Sequence, residues 1–144
     1  MIAGIWQPST TCAYRLHLNS SGVPFFVVSR DGTSTNLFGV RHAAVLLNRW
    51  TFIVGAWDPI NHRLLMAEGA TPNDPNLDLS PSGVRGPGSI FEGNSPFMVG
   101  INFDVGEGFI GRIDGVAVWN RILNNPEVVK LFNNVAGLEY PWNG

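Results

Sequence analysis

Alternation of apolar and polar positions, rather than helical periodicity, dominates this chain. From Ala13 to Asn19, Tyr14, Leu16 and Leu18 alternate with Arg15, His17 and Asn19, the period of a half-buried strand. Ser20-Ser21-Gly22 is a turn, and Val23 to Ser29 is the hairpin partner, with Pro24 suited to a first or edge position because it lacks a ladder N–H. Ile2 to Gln7 reads as a short strand before Pro8, Asp31-Gly32 as a turn, and Phe38 to Leu47 as a weaker strand. Trp50 to Asp58 is apolar on both parities, as for a strand covered on both faces. After the Pro59-Ile60-Asn61 turn, Arg63 to Glu68 returns. Ala70 to Asn94 is crowded with turn residues and predicts a long surface excursion, with a short strand near Leu77 to Ser80. Pro96 to Asp104 is a further strand.

The stretch from Phe109 to Phe132 joins both periods. Phe109, Ile113, Val116 and Val118 are apolar, with Arg112 and Asp114 on the other parity, which predicts a long strand over Phe109–Trp119. Gly115 interrupts the alternation, as at a bulge or a close backbone approach. A short helix follows. Asn125 is placed to cap it, Pro126 to occupy its first helical position and Glu127 to face the positive end of its dipole. Val128, Leu131 and Phe132 share one face, and Gly137 ends the pattern before an extended aromatic tail, Leu138 to Trp142. Strands spaced this closely, with turn punctuation, predict an all-β sandwich or jelly roll of one domain over 1–144.

Three segments resemble the laminin-G-like jelly rolls of the concanavalin A-like lectin/glucanase superfamily. R-W-T-F-I-V-G-A-W-D (Arg49 to Asp58) is similar to that family's W-x-H-V-A-x-x-Y-D strand, and H-R-L-L-M-A-E-G (His62 to Gly69) to its L-x-L-Y-V-N-G return. P-F-M-V-G followed by F-I-G-R-I-D-G-V-A-V-W-N-R-I-L resembles its ending, L-x-I-G and F-x-G-x-I-D-x-V-x-I-Y-N-R-A-L. The resemblance implies a concanavalin A-like sandwich of two antiparallel sheets with one short helix near the C-terminus. Members usually carry a further strand or two before the part that Ile2 to Trp6 matches. The resemblance therefore implies a domain incomplete at its N-terminus, or a homo-oligomer or neighbouring chain that completes the open sheet edge.

Composition removes several functions. Only 14% of residues are charged, against roughly 25% in average globular proteins. The net charge is −2, with Lys130 the single lysine and the arginines scattered, so no basic footprint for nucleic acid exists. No apolar run is long enough for membrane insertion, and no signal peptide is visible at Met1 to Gln7. The lone Cys12 has no partner for a disulfide, and it reads as a small half-buried thiol.

The glucanase branch raises hydrolysis. Retaining enzymes need two carboxyls about 5 Å apart, which on one strand means acids at i, i+2 or i+4. No strand here carries such a pair, and no catalytic residue is assigned. Calcium is implied by the resemblance, through Asp58, Asn61, Asp104 and Glu107 at loop ends, since a hard cation prefers oxygen ligands. The alternative for these residues is turn formation with their own backbone. Asp114 reads as a structural hydrogen-bonding residue, with Arg121 its partner or that of the helix. For sugar binding, Trp57, Trp142 and Tyr140 are the candidate aromatic faces, whereas the family packs residues like Trp50 and Trp119 into its core.

The expected function is non-catalytic recognition or attachment, binding glycan or protein on an extracellular or virion surface. A structural assembly or decoration subunit of a phage or virus particle is the alternative, and a β-glycan hydrolase is the least favoured reading.

Overall fold

The computed structural model describes residues 1–7, 11–35, 37–41, 45, 48–74, 77–79, 81–101 and 108–137. Among these residues eight strands and one α-helix follow in chain order: β1 (Ala3–Ile5), β2 (Tyr14–Leu18), β3 (Pro24–Ser29), β4 (Leu37–Arg41), β5 (Phe52–Asp58), β6 (Arg63–Gly69), β7 (Pro81–Arg85), β8 (Met98–Val99) and α1 (Asn125–Phe132). The strands form two antiparallel sheets, ordered β4-β3-β2-β1-β8 and β5-β6-β7. The sandwich with one C-terminal helix is the architecture the sequence predicts.

The period of two explains how the layers fill. On β3, Phe26 and Val28 point between the sheets, where they meet Val40, Leu64 and Met66. Val27, one position out of phase, belongs to a second cluster with Met1, Trp6 and Cys12. On β6, Leu64 and Met66 face the first sheet, while Leu65 and Ala67 face a third cluster completed by Leu77, Leu79, Leu123, Val128 and Phe132. The apolar run of β5 has the same cause. Phe52, Val54 and Ala56 pack toward the helix side, and Ile53 and Trp57 toward the first sheet. Both faces of β5 therefore carry packed side chains, although Phe52–Trp57 are only half-buried.

The helix begins one residue earlier than its sequence suggests. Asn124 is the N-cap, its side chain accepting the Glu127 N–H at 2.9 Å while Glu127 Oε2 accepts the Asn124 N–H at 2.8 Å. This reciprocal box fixes the cap at the asparagine three residues before the glutamate. Asn125 instead accepts the Leu79 N–H at 3.0 Å and donates to Asp78, tying the helix to the segment beneath it. Val128 and Phe132 are buried and Leu131 is half-buried, so the expected apolar face is the packed one.

Three expectations are corrected. Phe109–Trp119 forms no strand, since no residue of it joins a ladder among the described residues. Gly115 takes φ +60°, and the Asp114 carboxylate accepts its N–H at 2.8 Å, which breaks the extended run at its midpoint. The third strand of the second sheet is Pro81–Arg85 rather than Leu77–Ser80, because the alternating Leu77 and Leu79 are spent on the core without a ladder partner. Finally, β1 is not an open edge. It lies between β2 and β8, and among the described residues β4 and β8 are the edges of one sheet and β5 and β7 of the other. Much of the 70–94 excursion is also stitched down: the Phe91 N–H donates to the Ser29 carbonyl at 2.9 Å, and Ile90 packs on the inter-sheet core.

Candidate functional site

β5, which among the described residues pairs with β6 alone, and the segment that follows Phe109 stand apart, and a groove of about 780 Å³ opens between them. That volume lies within the roughly 300–1,000 Å³ of small-ligand sites. Tyr14, Leu16 and Phe26 of the first sheet contribute to its lining, together with Trp50, Trp57 and Trp119. Trp50 is 58% exposed and Trp119 36% exposed, so neither is the core residue expected of it. The cause is the standing-off of 109–119, which leaves both indoles on open groove walls. Burial pushes the Tyr14 hydroxyl pKa up, since ionising it would strand a charge among apolar neighbours.

Trp57 is the one expected sugar-facing aromatic that the described residues include, and it lines the groove. Its ring also packs on the inter-sheet cluster, and Nε1–H donates to the Pro87 carbonyl at 2.9 Å, so its polar atom is committed to the fold. Tyr140 and Trp142 lie outside the described residues, as do Asp104 and Glu107.

Asp58 closes one end of β5. Its Oδ1 accepts the N–H groups of Ile60 and Asn61 at 3.0 Å each, and its Oδ2 accepts Asn61 Nδ2 at 2.7 Å. The Asn61 side chain, then its backbone N–H, hold the Asp58 carboxyl below its usual range, with burial opposing. Both oxygens thus serve a turn, the alternative that the residue types carry. Among the described residues no three His, Cys, Asp or Glu side chains gather as a metal cluster, so Asp58 and Asn61 as placed do not by themselves supply a calcium shell.

Arg112, Asp114 and Arg121 add charge to the groove's second wall. Arg121 is bidentate on Glu127, at 2.8 and 2.6 Å, and so braces the end of this wall to the first turn of α1. The pairing falls to the helix rather than to Asp114. Arg121, then the Asn124 N–H, pull the Glu127 carboxyl down to about 2 from its ordinary 4.5. A depressed carboxyl stabilises the fold above its unfolded value and loses that contribution as pH falls through the folded one. The link between helix and wall is therefore expected to weaken between pH 4.5 and about 2. Carboxyl-carbon NMR should place the Glu127 midpoint near 2, and Arg121→Ala should return it most of the way to 4.5. A midpoint already near the ordinary value in the unaltered protein would remove the brace.

The groove was not readable from sequence because its walls come from distant parts of the chain. The only local signal was a pair of tryptophans flanking strand patterns, and those residues read equally well as core.

Residues 2–129 match the model of the Laminin_G_3 family, described as concanavalin A-like lectin/glucanases superfamily. Neither the curated proteins nor the solved structures searched contain a match.

Proposed function

The chain belongs to the concanavalin A-like lectin/glucanase superfamily, and from that premise we propose a non-catalytic recognition module that binds glycan along β5, on an extracellular or virion surface. The observation that carries this reading is the convergence of three tryptophans and a tyrosine on one groove with Arg112 and Asp114 beside them. Indole faces stack on the apolar faces of sugar rings, while guanidinium and carboxylate groups take the hydroxyls. Asp58, the carboxyl at the end of β5, is unsuited to the general-acid role of a hydrolase, which calls for a raised pKa, because its own is lowered and its oxygens serve a turn.

Glycan-array screening followed by calorimetry on the best binder tests the reading. Trp50→Ala and Trp119→Ala should each weaken binding about tenfold, or about 1.4 kcal/mol. Trp50 is 58% exposed, so the thermal midpoint of Trp50→Ala should barely move. Retention of no glycan, or affinity indifferent to both substitutions, would sink the proposal. Release of reducing sugar from β-glucans would favour the hydrolase instead.

One observation favours assembly as the second reading. Phe97 (40% exposed), Val99 (44%), Ile101 (44%) and Ile110 (100%) are apolar and exposed on or near β8, an edge strand of the first sheet. An apolar edge is a surface that other chains cover. A defined oligomer in light scattering would support it.

A further inference from the structure

The arginines are scattered along the chain, yet the ladder of the second sheet brings two of them face to face. Arg63, the first residue of β6, is the register partner of Arg85, the last of β7, so both side chains leave the same face of the sheet. Directly opposed residues of an antiparallel pair hold their Cβ atoms roughly 4.5–5.5 Å apart. The backbone just beyond the pair fixes it. The Gly86 N–H donates to the His62 carbonyl at 2.8 Å, and a Cβ on Gly86 would come within 3.1 Å of the Arg63 backbone. Both arginines are exposed, and among the described residues neither side chain has a hydrogen bond or an ion pair.

Like charges directly opposite each other destabilise a ladder. Asp58, the register partner of Arg63 on its other side, leaves the pair in excess, because both its oxygens already accept from Ile60 and Asn61 in the turn. We propose that Arg63 and Arg85 form a binding site for a tetrahedral oxyanion, phosphate or sulfate, taken as the free ion or as an ester on a glycan. A guanidinium presents a planar fork of N–H donors and grips two oxygens at once. Two forks side by side call for an acceptor with oxygens in more than one plane, which a tetrahedral group has and a carboxylate lacks. The bound anion replaces repulsion with charge-assisted hydrogen bonds, so it stabilises the fold as it binds. Neither arginine lines the groove, and the site is therefore separate from the one proposed for glycan stacking.

Thermal unfolding of the full chain in sodium phosphate, against sodium chloride of equal ionic strength, reads the site. At about ten times Kd, phosphate should raise the midpoint by roughly 3–6 °C over chloride. Arg85→Ala should lose that gain, and in chloride it should melt no lower than the unaltered protein, because the substitution removes only repulsion. Arg63→Lys keeps the charge without the fork and should lose most of the gain. In a phosphate titration followed by NMR, the Nε–H signals of Arg63 and Arg85 should move together and saturate with one Kd. Glucose phosphate moving both signals at a lower concentration than inorganic phosphate would identify the ester as the ligand, and the reverse order the free ion; glucose should move neither. No gain over chloride, or an equal gain in Arg85→Ala, would overturn the proposal. Either result would leave the glycan test of the groove standing, since that test reads Trp50 and Trp119.

Discussion

Phe132→Ala is expected to lower the stability of the domain by about 4 kcal/mol, within the range for buried aromatics. Phe132 is 3% exposed and sits with Leu65, Ala67, Leu77 and Val128 under α1, its ring centroid 5.8 Å from that of Phe52. The ring rests on Gly69, where an added Cβ would come within 3.0 Å of it. A glycine has no side chain to move into the vacated space, so the cavity persists and its cost is near the upper part of the range. Val129→Ala, on the opposite face and 52% exposed, should stay within about 0.5 kcal/mol of the unaltered protein. Urea unfolding followed by tryptophan fluorescence gives both values. A loss below about 1 kcal/mol for Phe132→Ala would mean that α1 does not hold the second sheet as described.

The second large effect is expected at the other end of the molecule. Gly4→Ala should cost about 3 kcal/mol, from backbone strain and overpacking together. Gly4 has φ +155°, and a Cβ there would fall on the Tyr14 carbonyl oxygen and 2.7 Å from Arg15 Cα. Both obstacles are backbone of the neighbouring strand, in register with Gly4 and unable to swing aside as a side chain would. Because β1 joins β2 to β8, the damage should appear first as lost exchange protection at Met98–Val99 and then as a lower midpoint. Gly22→Ala is a useful contrast, since it has φ +74° but only one atom within 4.0 Å of the added carbon. It isolates the strain from the collision. Equal losses in the two variants would remove packing from the account of Gly4.

How much of this was legible in the sequence depends on how local each cause is. The hairpin of β2 and β3 was visible because one turn and one alternation specify it, and the Tyr14↔Val28 register follows. The helix was visible from Pro126, Glu127 and the spacing of Val128, Leu131 and Phe132; its cap was misplaced because two adjacent asparagines both qualify. Asp58 and Asn61 carried both a calcium reading and a turn reading, and the hydrogen bonds of the turn all lie within four residues. What could not be read was long-range. Nothing near Ile2 says that Met98–Val99 will cover the outer side of β1, and nothing near Trp119 says that its neighbours stand clear of β5. Alternation in Phe109–Trp119 reports the side a residue prefers, not whether a partner is within reach.

The seven residues of β6 have one more consequence. Leu64 and Met66 belong to the core between the sheets, and Leu65 and Ala67 to the core under the helix. A single short stretch of backbone is therefore common to both apolar interiors, and neither can come apart while the other keeps β6 extended. The domain should melt as one cooperative unit, without a stage in which the helix layer dissolves and the sandwich survives. The shared strand also sets the order of assembly. Its partners on one side come from β3 and β4, made earlier in the chain, and on the other from α1, made later, so the outer interior closes only after the helix has been made.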